Sequence, residues 1–272
     1  MAFQKWQIGL DIHNGQLCAL GVQRRRNGWQ LRHWWHHPLP QDTLRQGVLQ
    51  SSPELLSVLT RWRKMLPRHY RLCVGLPPQL VMQRPLALPP QSLREPDLGR
   101  YIHAAARRLF PLEPESLTLD YRPFSDKPSQ LCVTAVRRDV LQQWQSVLAE
   151  AGVQPEVFEL SWAALQMLAM LLKPQPGTVL VHRLPDQWLW YAPGEQQPAF
   201  GCAVADGSDL AQLRLHAFPE ARALWYSSDM GDEPDRVTPL NPLHALQLMQ
   251  PPLPVQPSRF ALACGLALRP ED

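Results

Sequence analysis

The chain's 272 residues are enough for one large domain or two modest ones with real hydrophobic cores. A mixture of 45% hydrophobic and 19% charged residues is too apolar for a disordered chain. With 27 basic against 24 acidic residues the net charge is +3, too even a balance to imply nucleic-acid binding by itself.

Proline (29 residues) and tryptophan (10) are abundant, which predicts short elements joined by rigid connections. Five cysteines, Cys18, Cys73, Cys132, Cys202 and Cys264, are far apart and mostly flanked by apolar residues. That is the pattern of buried thiols in a reducing compartment. The first residues lack a signal-peptide pattern, because the apolar stretch Trp6 to Leu10 is interrupted by Gln7 and stopped by Asp11. The longest apolar run, Trp162 to Leu172, contains Gln166 and falls short of the roughly 20 residues that span a bilayer. A cytoplasmic protein is expected, held at any membrane by something else.

Gln7 to Val22 reads as two strands joined at His13-Asn14-Gly15, since Asn-Gly tolerates the positive φ of a hairpin turn. Trp29 to His36 adds a third strand to this meander. Ser52-Pro53-Glu54 starts a helix, and Leu55, Val58, Leu59, Trp62 and Leu66 give it one apolar face. Arg71 to Leu76 follows as a buried strand closed by Pro77-Pro78. The next segment reads as an inserted unit. It has a strand from Leu80 to Leu88, a helix from Asp97 to Phe110, and strands at Leu117 to Phe124 and Leu131 to Val136. A helix from Asp139 to Ala151, ended by Gly152, precedes Val157 to Leu160, which is expected to close that sheet.

Ser161 to Leu172 reads as a strongly apolar helix. Strands at Thr178 to Arg183, Gln187 to Ala192 and Ala199 to Val204 precede a helix from Ser208 to His216 and a strand at Leu224 to Tyr226. Asp229 to Pro257 reads as loop around a short helix at Leu243 to Met249, and Phe260 to Leu268 as a compact apolar helix. The second run of three strands and a helix echoes the first, as two related halves would.

Four stretches resemble the PilM family of type IV pilus assembly proteins. They are Gly9-Leu10-Asp11-Ile12, Val133-Thr134-Ala135-Val136-Arg137-Arg138-Asp139, Glu150-Ala151-Gly152-Val153 and the tail Cys264-Gly265-Leu266-Ala267-Leu268-Arg269. They occur in order over nearly the whole chain, and the nearest likeness is to a short enterobacterial branch linked to the use of external DNA. The N-terminal strand pair is shared with other actin-like proteins, including the division protein FtsA. The resemblance implies an α/β fold of the actin-like (ribonuclease H-like) kind. It implies a first unit over 1–79, an inserted α/β unit over 80–160, and a connecting helix with a shortened second half over 161–272. The implied function is that of a scaffold, bound to the cytoplasmic N-terminal tail of a PilN-like inner-membrane protein, with self-association as a further contact.

Actin-like ATPases hold nucleotide between two halves. Hairpin loops cradle the phosphates with backbone amides, an acidic residue stands by each loop, and a glycine-rich strand end lies near the adenosine. Carried over residue by residue, the first loop leaves Asp11, Asn14 and Gly15 as the remnant of a cofactor site. His13 stands where the family has glycine or serine, and Cys18 where a lysine would face the phosphates. A neutral thiol cannot replace that cation. In the second loop, Val181 to Asp186, His182 takes the acidic place and Leu184 the glycine place, while Pro185 removes an amide donor. Ser227-Ser228-Asp229-Met230-Gly231 would correspond to the adenosine element. These losses predict no cofactor and no enzyme; an ATP/Mg²⁺-controlled switch retaining Asp11 and Asn14 is the alternative. The partner peptide is expected in a groove between the first and inserted units, lined by Leu76, Pro77, Leu80, Val81 and Tyr101.

His33, His36 and His37 lack a nearby carboxylate or cysteine at ligand spacing, so they read as a strand edge rather than a metal site. Asp206-Gly207-Ser208-Asp209 reads as a helix cap. Basic clusters at Arg24-Arg25-Arg26, at Arg61, Arg63 and Lys64, at Arg107-Arg108 and at Arg137-Arg138 fall on different elements without an aromatic stacking motif. They read as solvated faces, with direct DNA binding as a second alternative. No catalytic triad and no paired carboxylates declare themselves.

Overall fold

The computed structural model describes residues 5–89, 93–123, 129–194, 199–205, 209–232 and 234–270. It opens with the meander: β1 (Trp6–His13), β2 (Gln16–Arg25) and β3 (Gly28–Pro38), each antiparallel to the last. Gly15 takes φ +94°, as the tight turn between β1 and β2 requires. A short hairpin, β4 (Leu44–Arg45) with β5 (Val48–Leu49), leads to α1 (Pro53–Met65). Ser52 caps α1 by accepting from the Leu55 amide, and Leu55, Val58, Leu59 and Trp62 are buried beneath it. β6 (Tyr70–Leu76) then lies parallel to β1.

The inserted segment folds as an antiparallel sheet of β7 (Val81–Ala87), β8 (Leu117–Pro123) and β9 (Gln130–Arg137), in the order β7-β9-β8. Side chains alternate between its two faces. Leu86, Leu117, Leu131, Val133 and Ala135 meet Ile102, Ala105 and Ala106 of α2 (Asp97–Leu109). The other rows, Val81–Val136–Thr118, Gln83–Thr134–Asp120 and Pro85–Cys132–Arg122, mix polar and apolar residues and face away from α2.

Two elements expected in this unit belong elsewhere. β10 (Val157–Leu160) does not close the inserted sheet but pairs in parallel with β6. α3 (Arg138–Glu150) packs Trp144, Val147 and Leu148 into the core shared with α1. The cause is apolar burial: Ile8, Leu10, Ile12 and Val74 give the first sheet an apolar face, and Trp144 of α3 and Phe158 of β10 pack into its core. The inserted sheet itself therefore spans 81–137.

α4 (Ser161–Leu172) leads to a second five-stranded sheet. It comprises β11 (Thr178–Arg183), β12 (Gln187–Ala192), β13 (Ala199–Val204), β14 (Ala223–Ser228) and β15 (Thr238–Pro239). α5 (Leu210–Ala217) precedes β14 and is capped by Asp209; Asp206 to Ser208 lie outside the described residues, as does Phe124. The order β13-β12-β11-β14-β15 repeats β3-β2-β1-β6-β10 with the same strand senses. The second sheet is the smaller, since β15 has two residues. The helix expected over 243–249 is one turn of 3-10 helix at Pro242–Ala245. Beyond it the Gln247 and Leu248 amides both donate to the Trp29 carbonyl, so the chain is tied to β3 instead of continuing as helix.

α4 and the final helix α6 (Ala261–Ala267) lie between the two sheets, joining Leu20 and Val22 to Leu180 and Leu189 in one core. Every residue of α6 is buried, and most are small. A Cβ on Gly9 would stand 2.0 Å from the Ala263 carbonyl oxygen, and one on Gly265 2.2 Å from that of Ala164. These two glycines set how closely α6 approaches β1 and α4. Cys18, Cys73 and Cys264 are buried in this core, but Cys202 is exposed, because β13 is an outer strand.

Candidate functional site

Among the described residues, chemistry-bearing side chains come together in the cleft between the five-stranded sheets and in a groove beside the inserted sheet. In the cleft, strand alternation puts Asp11 and His13 of β1 on one face. The parallel register of β11 with β14 sets His182 beside Ser227, with Asp229 immediately past the strand end. All five side chains are buried.

His13 Nδ1 lies 3.1 Å from Asp11 Oδ2, and its Nε2 lies 2.5 Å from Asp229 Oδ2. The second contact is an ion pair rather than an aligned hydrogen bond. His182 Nδ1 is 2.8 Å from Ser227 Oγ. Because the Ser227 hydroxyl donates to the Val181 carbonyl, it accepts from His182, which leaves His182 Nε2 facing Asp229 Oδ1 at 3.4 Å. Burial opposes a charge on His13, but the Asp229 and Asp11 carboxylates outweigh it and push its pKa up to about 10. Burial likewise opposes ionisation of Asp229, yet His13 and His182 hold it well below the usual carboxylate range.

The expected cofactor remnants are engaged within the protein. Asp11 holds His13. Asn14 Oδ1 accepts from the Leu44 amide at 2.7 Å. Gly15 donates to Pro40 and accepts from Leu39, so its backbone is tied to the chain that follows β3. Leu184 fills the second loop with a buried side chain, and burial pushes the Cys18 thiol well up. The reading of His13 and His182 as simple losses missed what they gained. Asp229, taken for part of an adenosine element, is their partner, and it makes with Asp11 a carboxylate pair that the sequence did not declare.

The groove has a volume of about 650 Å³. Its floor is the free face of the inserted sheet, including Gln83, Thr134 and Asp120, and its far wall is Phe158, Trp162 and Phe200. Consecutive residues of β8 (Thr118 to Asp120) and of β10 (Phe158 to Leu160) line it, so both strands turn an edge toward it. Phe200 arrives from β13 and stacks on Trp162, with ring centroids 3.7 Å apart. At the rim Glu159 Oε2 accepts from Arg122 and Arg269, each at 3.0 Å.

Of the residues expected to line the groove, Leu76 and Val81 do so. Pro77, Leu80 and Tyr101 do not. Leu80 packs into the core under α1, and buried Pro77 starts the turn before β7. Tyr101 sits on α2, behind the inserted sheet, and its hydroxyl donates to the Ala87 carbonyl.

The sequence profile of the family described as "Type IV pilus assembly protein PilM" matches residues 9–178, more than half of the chain. The chain belongs to the PilM family. It is 27% identical over 268 residues to the DNA utilization protein HofM of Escherichia coli (strain K12), covering 98% of both chains. Among solved structures it resembles one titled as the PilM–PilN type IV pilus biogenesis complex, with TM-score 0.68 and 19% identity over 96% of this chain and 97% of that one. It also resembles the cytoplasmic domain of EpsL, an inner-membrane component of the type II secretion system of Vibrio cholerae, with TM-score 0.57 and 12% identity over 97% and 95% of the two chains. The fold is the actin-like one. Among the described residues no helix is long and apolar enough to cross a membrane.

Proposed function

We propose that this member of the family is a cytoplasmic adaptor, not an ATPase, and that its groove holds an extended segment from the cytoplasmic tail of a PilN-like inner-membrane protein. The observation that carries this reading is the groove itself, set between the edge strands β8 and β10, with an aromatic wall and a floor that mixes polar and apolar side chains. Such a site suits an extended peptide, since main-chain pairing supplies affinity and alternate side chains enter apolar and polar walls. Likeness to a solved PilM–PilN complex over nearly the whole chain supports the choice of partner. The protein would then reach the inner membrane through that partner. The proposed organisation is a first unit of the first sheet with α1 and α3, the inserted unit over 81–137, and a second half from α4 onward.

The absence of ATP hydrolysis in this reading rests on the cleft, where Asp11, Asn14 and Gly15 are committed to internal partners. Titration of a synthetic PilN-like tail peptide tests the groove. Val81→Asp, which places a charge in the groove, weakens binding at least roughly 30-fold, the scale of an interface hot spot. Tyr101→Phe, behind the sheet, leaves it unchanged. Equal affinity for wild type and Val81→Asp would remove the groove from the account.

A further inference from the structure

We infer that His13 is a built-in cation that fastens the two halves of the molecule together, in the place where an actin-like ATPase would hold its nucleotide. The inference stands on placement. Asp11 and His13 come from β1 in the first sheet, and Asp229 and His182 from the ends of β14 and β11 in the second. His13 bridges a carboxylate of its own strand to one from the opposite half, at 3.1 and 2.5 Å. The remaining charged and titratable neighbours are His182, Cys18 of β2, His36 of β3, and Arg259 of the turn before α6.

Two carboxylates facing one another across a buried cleft repel unless a cation stands between them. His13 supplies that cation covalently, on a ring held from one side by Asp11. His182 is oriented by Ser227 so that its second nitrogen also meets Asp229. Closure of the cleft therefore needs no exchangeable ligand. The inference does not depend on what the groove binds.

The direct test is a ¹⁵N–¹H spectrum of the histidine rings of the wild-type protein at pH 8, with His13 assigned by its loss in His13→Gln. Protonation of both His13 nitrogens is expected; a neutral ring would overturn the inference. So would stoichiometric zinc or magnesium in the purified protein, because a metal ion would then be the bridging cation. A stability cycle gives a second measurement. His13→Gln and Asp229→Asn are each expected to lower Tm by about 10 °C, as breaking a buried ion pair does in a chain of this size. The double variant should lose little more than either single one. Fully additive losses would show that the two residues act separately and would overturn the latch.

Discussion

The cleft between the five-stranded sheets and the groove beside the inserted sheet share the same scaffold, β6 and the strands on either side of it, yet they differ in content. In the cleft, His13 bridges a carboxylate from each half and the neighbouring Asn14 side chain is engaged by the Leu44 amide. In the groove, one face of the inserted sheet and the edge strands β8 and β10 surround about 650 Å³. A buried cleft that carries its own cation between two carboxylates has less need of an exchangeable one, whereas a groove between two edge strands has room for an extended peptide. The proposed function places the capacity to bind in the groove rather than in the nucleotide cleft.

The harshest way to break that contrast is to wedge the halves apart. Gly265→Val places a side chain against the Ala164 backbone, where even a Cβ meets an oxygen at 2.2 Å. A loss above about 4 kcal/mol is expected, read as failure to recover folded protein or as collapse of its melting transition. A milder change separates the sites. Trp162→Ala removes the stack that holds Phe200 over the groove and should weaken a docked peptide by about 30-fold or more in a titration, while the His13 ring spectrum stays as it was.

Proton titration sharpens the cleft side alone. His13 has a pKa raised from 6.5 to about 10, so its contribution to stability is complete below pH 6.5 and is lost as pH rises through about 10. Asp229 works in the opposite sense: its contribution stands above the usual carboxylate pKa and is lost as pH falls through the depressed one. The latch is thus strongest between about pH 4 and 6.5. Tm should fall by several degrees between pH 7 and 10, and His13→Gln should flatten that slope. The smallest effect is expected at the rim, where Arg122 is half exposed. Arg122→Ala should cost no more than about 1 kcal/mol in denaturant unfolding.

Local signals made much of this molecule legible. Asn14-Gly15 marked the first hairpin, and Ser52-Pro53 marked the start of α1, because turns and caps are decided by neighbouring residues. Pairing between distant segments was not written in that way. β10 follows a helix after β9 and joins β6 instead, a choice made by which sheet face is apolar. The same alternation could have placed Tyr101 correctly, since Leu117 and Leu119 alternate with Thr118 and Asp120 and so show which side α2 must cover. His13 and Asp229 are separated by most of the chain; the first read as a departure from a family pattern and the second as part of an adenosine element. Their meaning emerges once β1 and β14 stand on facing sheets.

The account is tested most directly by calorimetric titration of the wild-type protein, once with Mg²⁺-ATP and once with a PilN-like tail peptide. Saturable peptide binding with no heat from ATP up to about 1 mM, a range that covers weak ligands, is the predicted result. Micromolar binding of ATP would mean that the cleft opens to admit a ligand, and would contradict the claim that His13 has taken its place.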